Sequence, residues 1–349
     1  MSTQPRLGVL IGGPSREHDV SKASADNALS VLNAQQYRIL PIYITTSNEW
    51  QLYASPTDYS AGQLQLSFPA TEVVGRLPYL IDGALILLHG EFGEDGQLQR
   101  LLDQATIPYQ GSGVRASRLA FDKHAASQVL RRAGLSVPDY TLVTRASWVS
   151  ARSRLLSQVQ AAYGFPVVVK PNAAGSSIGV KICYTPAQLA DALETSSFEH
   201  TELLVQRCVA GIELTCGVIE TDDGPLALPP TLIRPRSQGF FDYQAKYTPG
   251  ATEEITPAPL PQKLLHAVQR VAMAAHSALG CRDYSRTDLI LGQGRLWILE
   301  VNTLPGLTGV SLLPQAAAQA GYDYAALIDY LARRALSRPE VVELNEYGI

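Results

Sequence analysis

Cysteine is scarce in this chain: among 349 residues there are four, Cys183, Cys208, Cys216 and Cys281. No two of them form a Cys-x-x-Cys pair, so neither a zinc site nor a disulfide framework is suggested, and buried free thiols in a reducing compartment are the expectation. Long hydrophobic runs are also missing; no apolar stretch approaches the ~20 residues that span a bilayer. Excess charge is small, with 28 Lys and Arg against 32 Asp and Glu, a net charge of -4 and a pI of about 5.9. That balance gives no basic surface for nucleic acid or an anionic membrane. The opening M-S-T-Q-P-R-L-G-V-L-I-G-G lacks a long apolar core and runs straight into a strand pattern, unlike a signal peptide, so a cytoplasmic protein is expected. There is no internal repeat and no low-complexity tract. Two familiar nucleotide signatures are absent as well, the G-x-x-x-x-G-K-[ST] loop and the G-x-G-x-x-G turn.

What remains is ordinary globular composition, 46% hydrophobic and 17% charged, in a chain long enough for two or three domains. Strand and helix signals alternate at the start. A strand over Leu7–Ile11 ends in Gly12-Gly13; a helix is predicted over Val20–Leu32, then strands over Tyr37–Ile44 and Ala84–Leu88, the loop H-G-E-F-G-E-D-G and a helix from Gln97. The β-α-β order favours a parallel sheet with a crevice at the strand C-termini. A second unit starts near Arg115 with one helical run over Ala116–Ala133. Strands follow at Tyr140–Val143, Pro166–Lys170, Gly179–Cys183 and Leu203–Cys208, with helices over Ser147–Ala162 and Pro186–Leu193. The last unit has a strand over Ile212–Ile219, an irregular charged loop from Arg234 to Glu254, a helix over Pro261–Leu279, a hairpin and a terminal helix over Tyr324–Leu336. The expected division is 1–115, 116–208 and 209–349.

The hairpin carries the strongest chemical signal. Arg286 to Gly306 reads as two apolar strands around a Gly-Gln-Gly turn, yet it contains Arg286, Asp288, Glu300 and Asn302. Oxygen ligands and a cation in otherwise buried strands cost folding energy unless they hold something, and a hard cation with a nucleotide phosphate is the candidate. If the hairpin is symmetric about Gln293, Asp288 faces Ile298 and Arg286 faces Glu300, and all four polar groups share a face; a register one residue off would send Arg286 and Asp288 to the other side. A solvated hairpin with a chance salt bridge is the plainer alternative, and the run L-W-I-L before Glu300 argues against it.

Other motifs are weaker singly. In K-P-N-A-A-G-S-S-I-G, Lys170 ends a buried strand and small residues let backbone N–H groups approach an anion, with Ser176 and Ser177 as further donors; a flexible hairpin tip is the alternative. Glu17, at a helix start, favours the helix dipole or binds an amine, capping being the simpler reading taken alone. The stretch Ser237 to Glu254 mixes aromatic and charged residues as a lid does, with Lys246 and Tyr247 in reach of a ligand, or is an ordinary exposed loop. Ser311 before a helix-compatible run either binds a carboxylate or is only an N-cap.

Together G-G-P-S-R-E-H-D-V-S, H-G-E-F-G-E-D-G, Y-Q-G-S-G, F-D-K, K-P-N-A-A-G-S-S-I-G-V, F-F-D-Y-Q-A-K-Y and E-V-N-T-L-P-G-L-T run in one order over nearly the whole chain. They resemble the D-alanine–D-alanine ligase family of the ATP-grasp superfamily. The resemblance implies an α/β, three-domain ATP-grasp architecture with an N-terminal parallel-sheet domain. It implies ATP-dependent joining of two D-alanines through an acyl phosphate, for peptidoglycan, by a cytoplasmic homodimer that binds neither nucleic acid nor membrane. Carried over by motif position, Lys123, Lys170 and Lys246 would contact phosphates, Gln206 the adenine and Glu213 the ribose. Asp288, Glu300 and Asn302 would hold two Mg2+, or Mn2+ in their place. Arg286 and the Gly306 N–H would stabilise the tetrahedral intermediate. Glu17 would bind the first D-alanine's ammonium, Ser311 and the Leu312 N–H would take the second one's carboxylate, and His89 would lie close to both. Glu17, Ser176 and Tyr247 would latch the lid.

The chain departs from the family pattern at Gln206, where an acid is usual, and at Thr287, where an aliphatic residue is usual. The same chemistry with D-serine, D-lactate or another amino acid as acceptor is the alternative activity. Lys246-Tyr247 resembles the lid of dipeptide-forming members.

Overall fold

In the computed structural model of the protein, described over residues 4–175, 179–196, 202–235 and 252–337, the strands gather into three sheets. The first holds β1 (Arg6–Gly12), β2 (Arg38–Ile44), β3 (Glu49–Leu52), β4 (Leu66–Pro69) and β5 (Gly83–Ile86) in the order β4-β3-β2-β1-β5. Its centre is parallel, as the β-α-β order predicts, with β1 between β2 and β5. The edge strands β3 and β4 are antiparallel and carried no clear sequence signal; each is four residues long. Helices α1 (His18–Val31), α2 (Pro56–Ser60), α3 (Val73–Leu80) and α4 (Gln97–Gln104) complete this unit. Such βαβ packing puts the loops after β1 and β5 at one end of the sheet. Glu17 follows β1 there, and His89 and Glu94 follow β5.

The predicted helical run over 116–133 is two helices, α5 (Val114–Phe121) and α6 (Lys123–Arg132). The break is chemical: Asp122 takes an extended conformation and its carboxylate accepts from Ala125 N at 2.8 Å, capping α6. The second sheet contains β6 (Tyr140–Thr144), β7 (Val167–Pro171), β8 (Lys181–Cys183) and β9 (Glu202–Arg207), all antiparallel in the order β6-β9-β7-β8. Helices α7 (Arg145–Tyr163) and α8 (Pro186–Ser196) cover one face, where Val143, Val167, Val169, Leu203 and Val205 share a core with Trp148, Leu155 and Leu189. Alternation therefore turns Val168, Lys170 and Gln206 to the other face.

The third sheet runs β13 (Thr252–Ile255), β12 (Thr231–Pro235), β10 (Ile212–Thr221), β14 (Tyr284–Gly292), β15 (Arg295–Asn302), with β11 (Gly224–Ala227) beside β10. The segment read as one irregular loop from Arg234 to Glu254 is strand at both ends, Arg234 facing Glu253 across an antiparallel pair. Helix α9 (Gln262–Leu279) backs the sheet through Val268, Ala272, Ala275 and Leu279, which meet Leu214, Cys216, Leu289 and Ile298. Helices α10 (Leu312–Gln319) and α11 (Tyr324–Ser337) end the described chain. Leu327, Ile328, Leu331, Ala332 and Ala335 of α11 belong to the same apolar core as Leu7, Val9 and Leu85 of the first sheet.

The β14–β15 register differs from the one expected. Gly292 faces Arg295 across a two-residue turn in which Gln293 and Gly294 have φ 54 and 72, and Leu289 faces Ile298. That pairing is one residue off symmetry about Gln293 and alone would split the polar groups between two faces. A bulge then intervenes: beyond Leu289 the pairs are Asp288 with Glu300 and Arg286 with Asn302, leaving Leu299 as the extra residue. The bulge restores the parity, so all four polar residues meet, by a route that alternation alone does not reveal.

Candidate active site

The faces of the second and third sheets opposite their helices enclose a cavity of about 700 Å³. Lys123, Lys170, Gln206, Glu213, Asp288 and Glu300 line it, with Val168, Ile290 and Leu299 as apolar walls. A second cavity of about 430 Å³ lies toward the first sheet and is lined by Glu17, His89, Arg286, Asn302, Gly306, Ser311 and Leu312. Asp288, Glu300, Gly175 and Ile233 line both. Every predicted site residue that the structure describes thus lies on one of two adjoining cavities, and the carboxylates of the hairpin form the threshold. Ser176, Lys246 and Tyr247 lie outside the described residues.

The first cavity is cationic at its inner end. The Lys123 ammonium donates to Ala174 O at 2.6 Å and pairs with Glu300 at 3.4 Å. Lys123 N also donates to Asn172 O at 3.1 Å, and His124 N to the Asn172 side chain at 2.8 Å, which ties the start of α6 to the Gly-rich turn. Burial, with Lys123 close by, lowers the Lys170 amine to about 8 against the pull of Glu300. Gln206 is 4% exposed on the cavity wall.

At the threshold Asp288 is crowded by donors. Thr215 Oγ1 reaches Oδ1 at 2.6 Å, Arg286 bonds both oxygens at 2.8 Å, and Asn302 Nδ2 donates to Oδ2 at 3.1 Å. Although burial opposes it, the neighbouring carboxylates, Asp288 first, hold Arg286 firmly protonated. Two carboxylates and an amide are hard oxygen donors that suit Mg2+. Among the described residues no three His, Cys, Asp or Glu side chains form a cage of their own.

Two N-cap residues line the second cavity. Glu17 occupies the N-cap of α1, beside the helix dipole, without making a side-chain cap bond. Its carboxylate lies instead against Gly90 and Gly175: a Cβ on Gly90, which has φ 71, would stand 2.3 Å from Glu17 Oε2. Ser311, the N-cap of α10, likewise makes no side-chain cap bond; its Oγ accepts from Thr308 N at 3.1 Å and meets Thr308 Oγ1 at 2.7 Å. His89 is buried and held neutral, its pKa lowered to about 4 chiefly by desolvation. Nδ1–H then donates to Leu304 O at 2.9 Å, and Nε2 accepts from Ser24 Oγ at 2.9 Å. One residue escaped the sequence reading. Glu94, inside the H-G-E-F-G-E-D-G loop, also lines this cavity. Its Oε1 accepts from Gly90 N at 2.9 Å, and burial plus the Glu17 charge push its pKa up to about 8. An acid between two glycines after a buried strand was the available signal.

This arrangement sits within a known family. Residues 6–112 match the family model for the D-ala D-ala ligase N-terminus and residues 129–333 that for the C-terminus. The D-alanine–D-alanine ligase of Oleidesulfovibrio alaskensis is 45% identical over 333 residues, 95% of this chain and 97% of that protein. The solved VanG D-Ala:D-Ser ligase of Enterococcus faecalis superposes with a TM-score of 0.82 at 30% identity, covering 94% of this chain and 98% of its own. The Bacillus anthracis D-alanine–D-alanine ligase complexed with ATP does so with 0.74 at 31%, over 95% and 97%. Among the described residues no helix is long and apolar enough to cross a membrane. The chain belongs to the D-alanine–D-alanine ligase family of ATP-dependent ligases.

Proposed function

We propose that this chain joins two D-alanines to D-alanyl-D-alanine at the expense of ATP, for cell-wall peptidoglycan. The observation that carries this is the pair of cavities meeting at Asp288 and Glu300, one lined by lysines and apolar walls, the other by Glu17, Arg286 and Ser311. In this reading the nucleotide lies in the larger cavity, its phosphates toward Lys123, Lys170 and Lys246, its ribose at Glu213 and its base at Gln206. Asp288, Glu300 and Asn302 hold Mg2+, which when bound neutralises charge on the transferring phosphoryl group. Glu17 holds the first D-alanine's ammonium, so that its carboxylate meets the γ-phosphate and becomes an acyl phosphate. The second D-alanine's carboxylate sits at the start of α10, on Ser311 and Leu312 N–H, with His89 nearby. Its amine attacks the acyl carbon, and the oxyanion meets Arg286 and Gly306 N–H, donors of a kind worth ~3–4 kcal/mol each. Ser176, Tyr247 and Glu17 latch the lid, which keeps water from the acyl phosphate. The divisions near 115 and 208, a cytoplasmic setting and a homodimer complete the proposal.

The test is ADP and phosphate release on mixing protein, ATP, Mg2+ and D-alanine, with products identified by mass spectrometry beside competing D-serine and D-lactate. D-alanine-dependent ADP formation with dipeptide as product is expected; folded protein with no such turnover would sink the reading, and a depsipeptide or a D-serine product would change the acceptor. Glu300→Ala should abolish turnover, and an unchanged rate would refute the metal assignment.

A further inference from the structure

An amine that arrives as an ammonium cannot attack carbon until it loses a proton, so ligation needs a proton acceptor beside the acyl group. Among the described residues of the second cavity, the carboxylates of Asp19 and Glu254 are exposed to solvent. Asp288 is engaged by Arg286, Thr215 and Asn302, and Glu300 pairs with Lys123. Arg286 is itself a cation, and both nitrogens of His89 are used by Leu304 and Ser24. Glu17, the acid at Gly90 and Gly175, is assigned to the first ammonium. Glu94 lines the same cavity, with one of its carboxylate's roughly four lone-pair positions taken by the Gly90 N–H at 2.9 Å. That donor belongs to the loop after β5, which bears Glu94 itself, so the carboxyl is held by its own loop.

We propose that Glu94 is the proton acceptor for the attacking amine of the second D-alanine, an assignment that rests on the ligase reading above. The ammonium gives one proton to the Glu94 carboxylate, and the freed lone pair forms the C–N bond at the acyl carbon. Collapse of the tetrahedral intermediate breaks the carbon–oxygen bond to phosphate, which leaves with that electron pair and takes the second proton from nitrogen. Glu94 then returns its proton to solvent. The charged and titratable groups that act on Glu94 are Glu17 at the start of α1 and Arg286 and Tyr284 on β14. Burial and the Glu17 charge raise its proton affinity toward that of an amine, which favours transfer, while the Gly90 N–H and Arg286 keep the ionised form within reach.

The test compares two acceptors on full-length Glu94→Gln with ATP, Mg2+ and D-alanine as donor. Hydroxylamine is uncharged at neutral pH and needs no base. The expected result is a ~10²–10⁴-fold loss of dipeptide formation with D-alanine hydroxamate formed at close to the wild-type rate. The pH profile should agree: the acidic limb of dipeptide formation in the wild type should be missing from the residual activity of the variant. Unchanged dipeptide synthesis would overturn the assignment. Equal loss with both acceptors would overturn it too, making Glu94 a support for the Gly90 loop. Wild-type protein that makes neither product would instead sink the ligase reading.

Discussion

Two side chains in and behind the site carry a folding cost that substitution should expose. Thr287 Oγ1 is fully buried between Arg286 and Asp288 in sequence and has no hydrogen-bond partner among the described residues. Alternation turns it away from the cavity, toward the core under α9. An orphaned hydroxyl costs ~1–3 kcal/mol, and valine has nearly the same shape. Thr287→Val is therefore expected to raise the melting temperature while kcat stays unchanged; a drop in stability would mean that the hydroxyl is satisfied. Glu94 supplies a pH-dependent counterpart. Its folded pKa of about 8 lies above the ordinary 4.5, so the neutral acid is the form the fold prefers. The stability it contributes is full below pH 4.5 and is lost as pH rises through about 8. In ligand-free protein, Glu94→Gln should become progressively more stable relative to wild type across that window, and parallel melting curves at all pH values would refute the shift. Glu94 also marks the limit of what residues alone reveal. Asp288, Glu300 and Asn302 stood out because polar groups in apolar strands need a reason, whereas Glu94 sits in a polar loop, where an acid needs none. Glu17 was visible as a helix-start acid; that its carboxylate turns to Gly90 depends on a glycine more than seventy positions away.

At the scale of elements, long periodic segments were readable and short or composite ones were not. β1, α1, β2, α9 and α11 follow apolar spacing. The edge strands β3 and β4 are too short to show a period, and α5 and α6 merge until Asp122 is seen to cap. The β14–β15 hairpin shows how a conclusion can survive a wrong register. Counting residues placed the four polar groups on one face, and a bulge at Leu299 achieves it after a turn that would have defeated it. The turn holds Gln293 at φ 54 and Gly294 at φ 72, both left-handed, as a two-residue hairpin turn of the I′ kind requires. Asparagine tolerates that conformation better than glutamine. Gln293→Asn should thus stabilise the protein by roughly 0.5–1 kcal/mol in urea unfolding, taking the usual cost of a strained turn residue as the scale. No gain would mean that the turn, and with it the register near Leu291, is of another type.

At the scale of the whole molecule, the site exists only where three sheets meet, and one buried network fixes two of them. Asp283, just before β14, is 2% exposed and has φ 60. Its carboxylate accepts from Gly111 N at 2.6 Å, in the segment leaving the first sheet, and from Arg334 Nε of α11 at 2.8 Å. Its backbone N–H donates to Glu220 of β10 at 3.0 Å, and Glu220 lies 3.4 Å from His276 of α9 and 3.5 Å from Arg334. Tyr330 of α11 donates to the Glu220 carbonyl. The strand bearing Arg286 and Asp288 thus begins at a clamp whose other jaws are the first sheet's exit loop and the last helix, while α11 completes the first sheet's core. Removing one partner of a buried ion pair costs ~3–5 kcal/mol, less where one side meets solvent, as Arg334 does. Arg334→Ala is expected to cost about 2–3 kcal/mol. That loss should appear as one cooperative urea transition shifted to lower midpoint, with amide exchange faster in β1 and β5 as well as in α11. Asp283→Asn, which keeps an acceptor for Gly111, should cost less. If Arg334→Ala freed α11 alone and left exchange in β1 and β5 unchanged, the last helix would be an appendage of the third sheet and the clamp would not bind the units together.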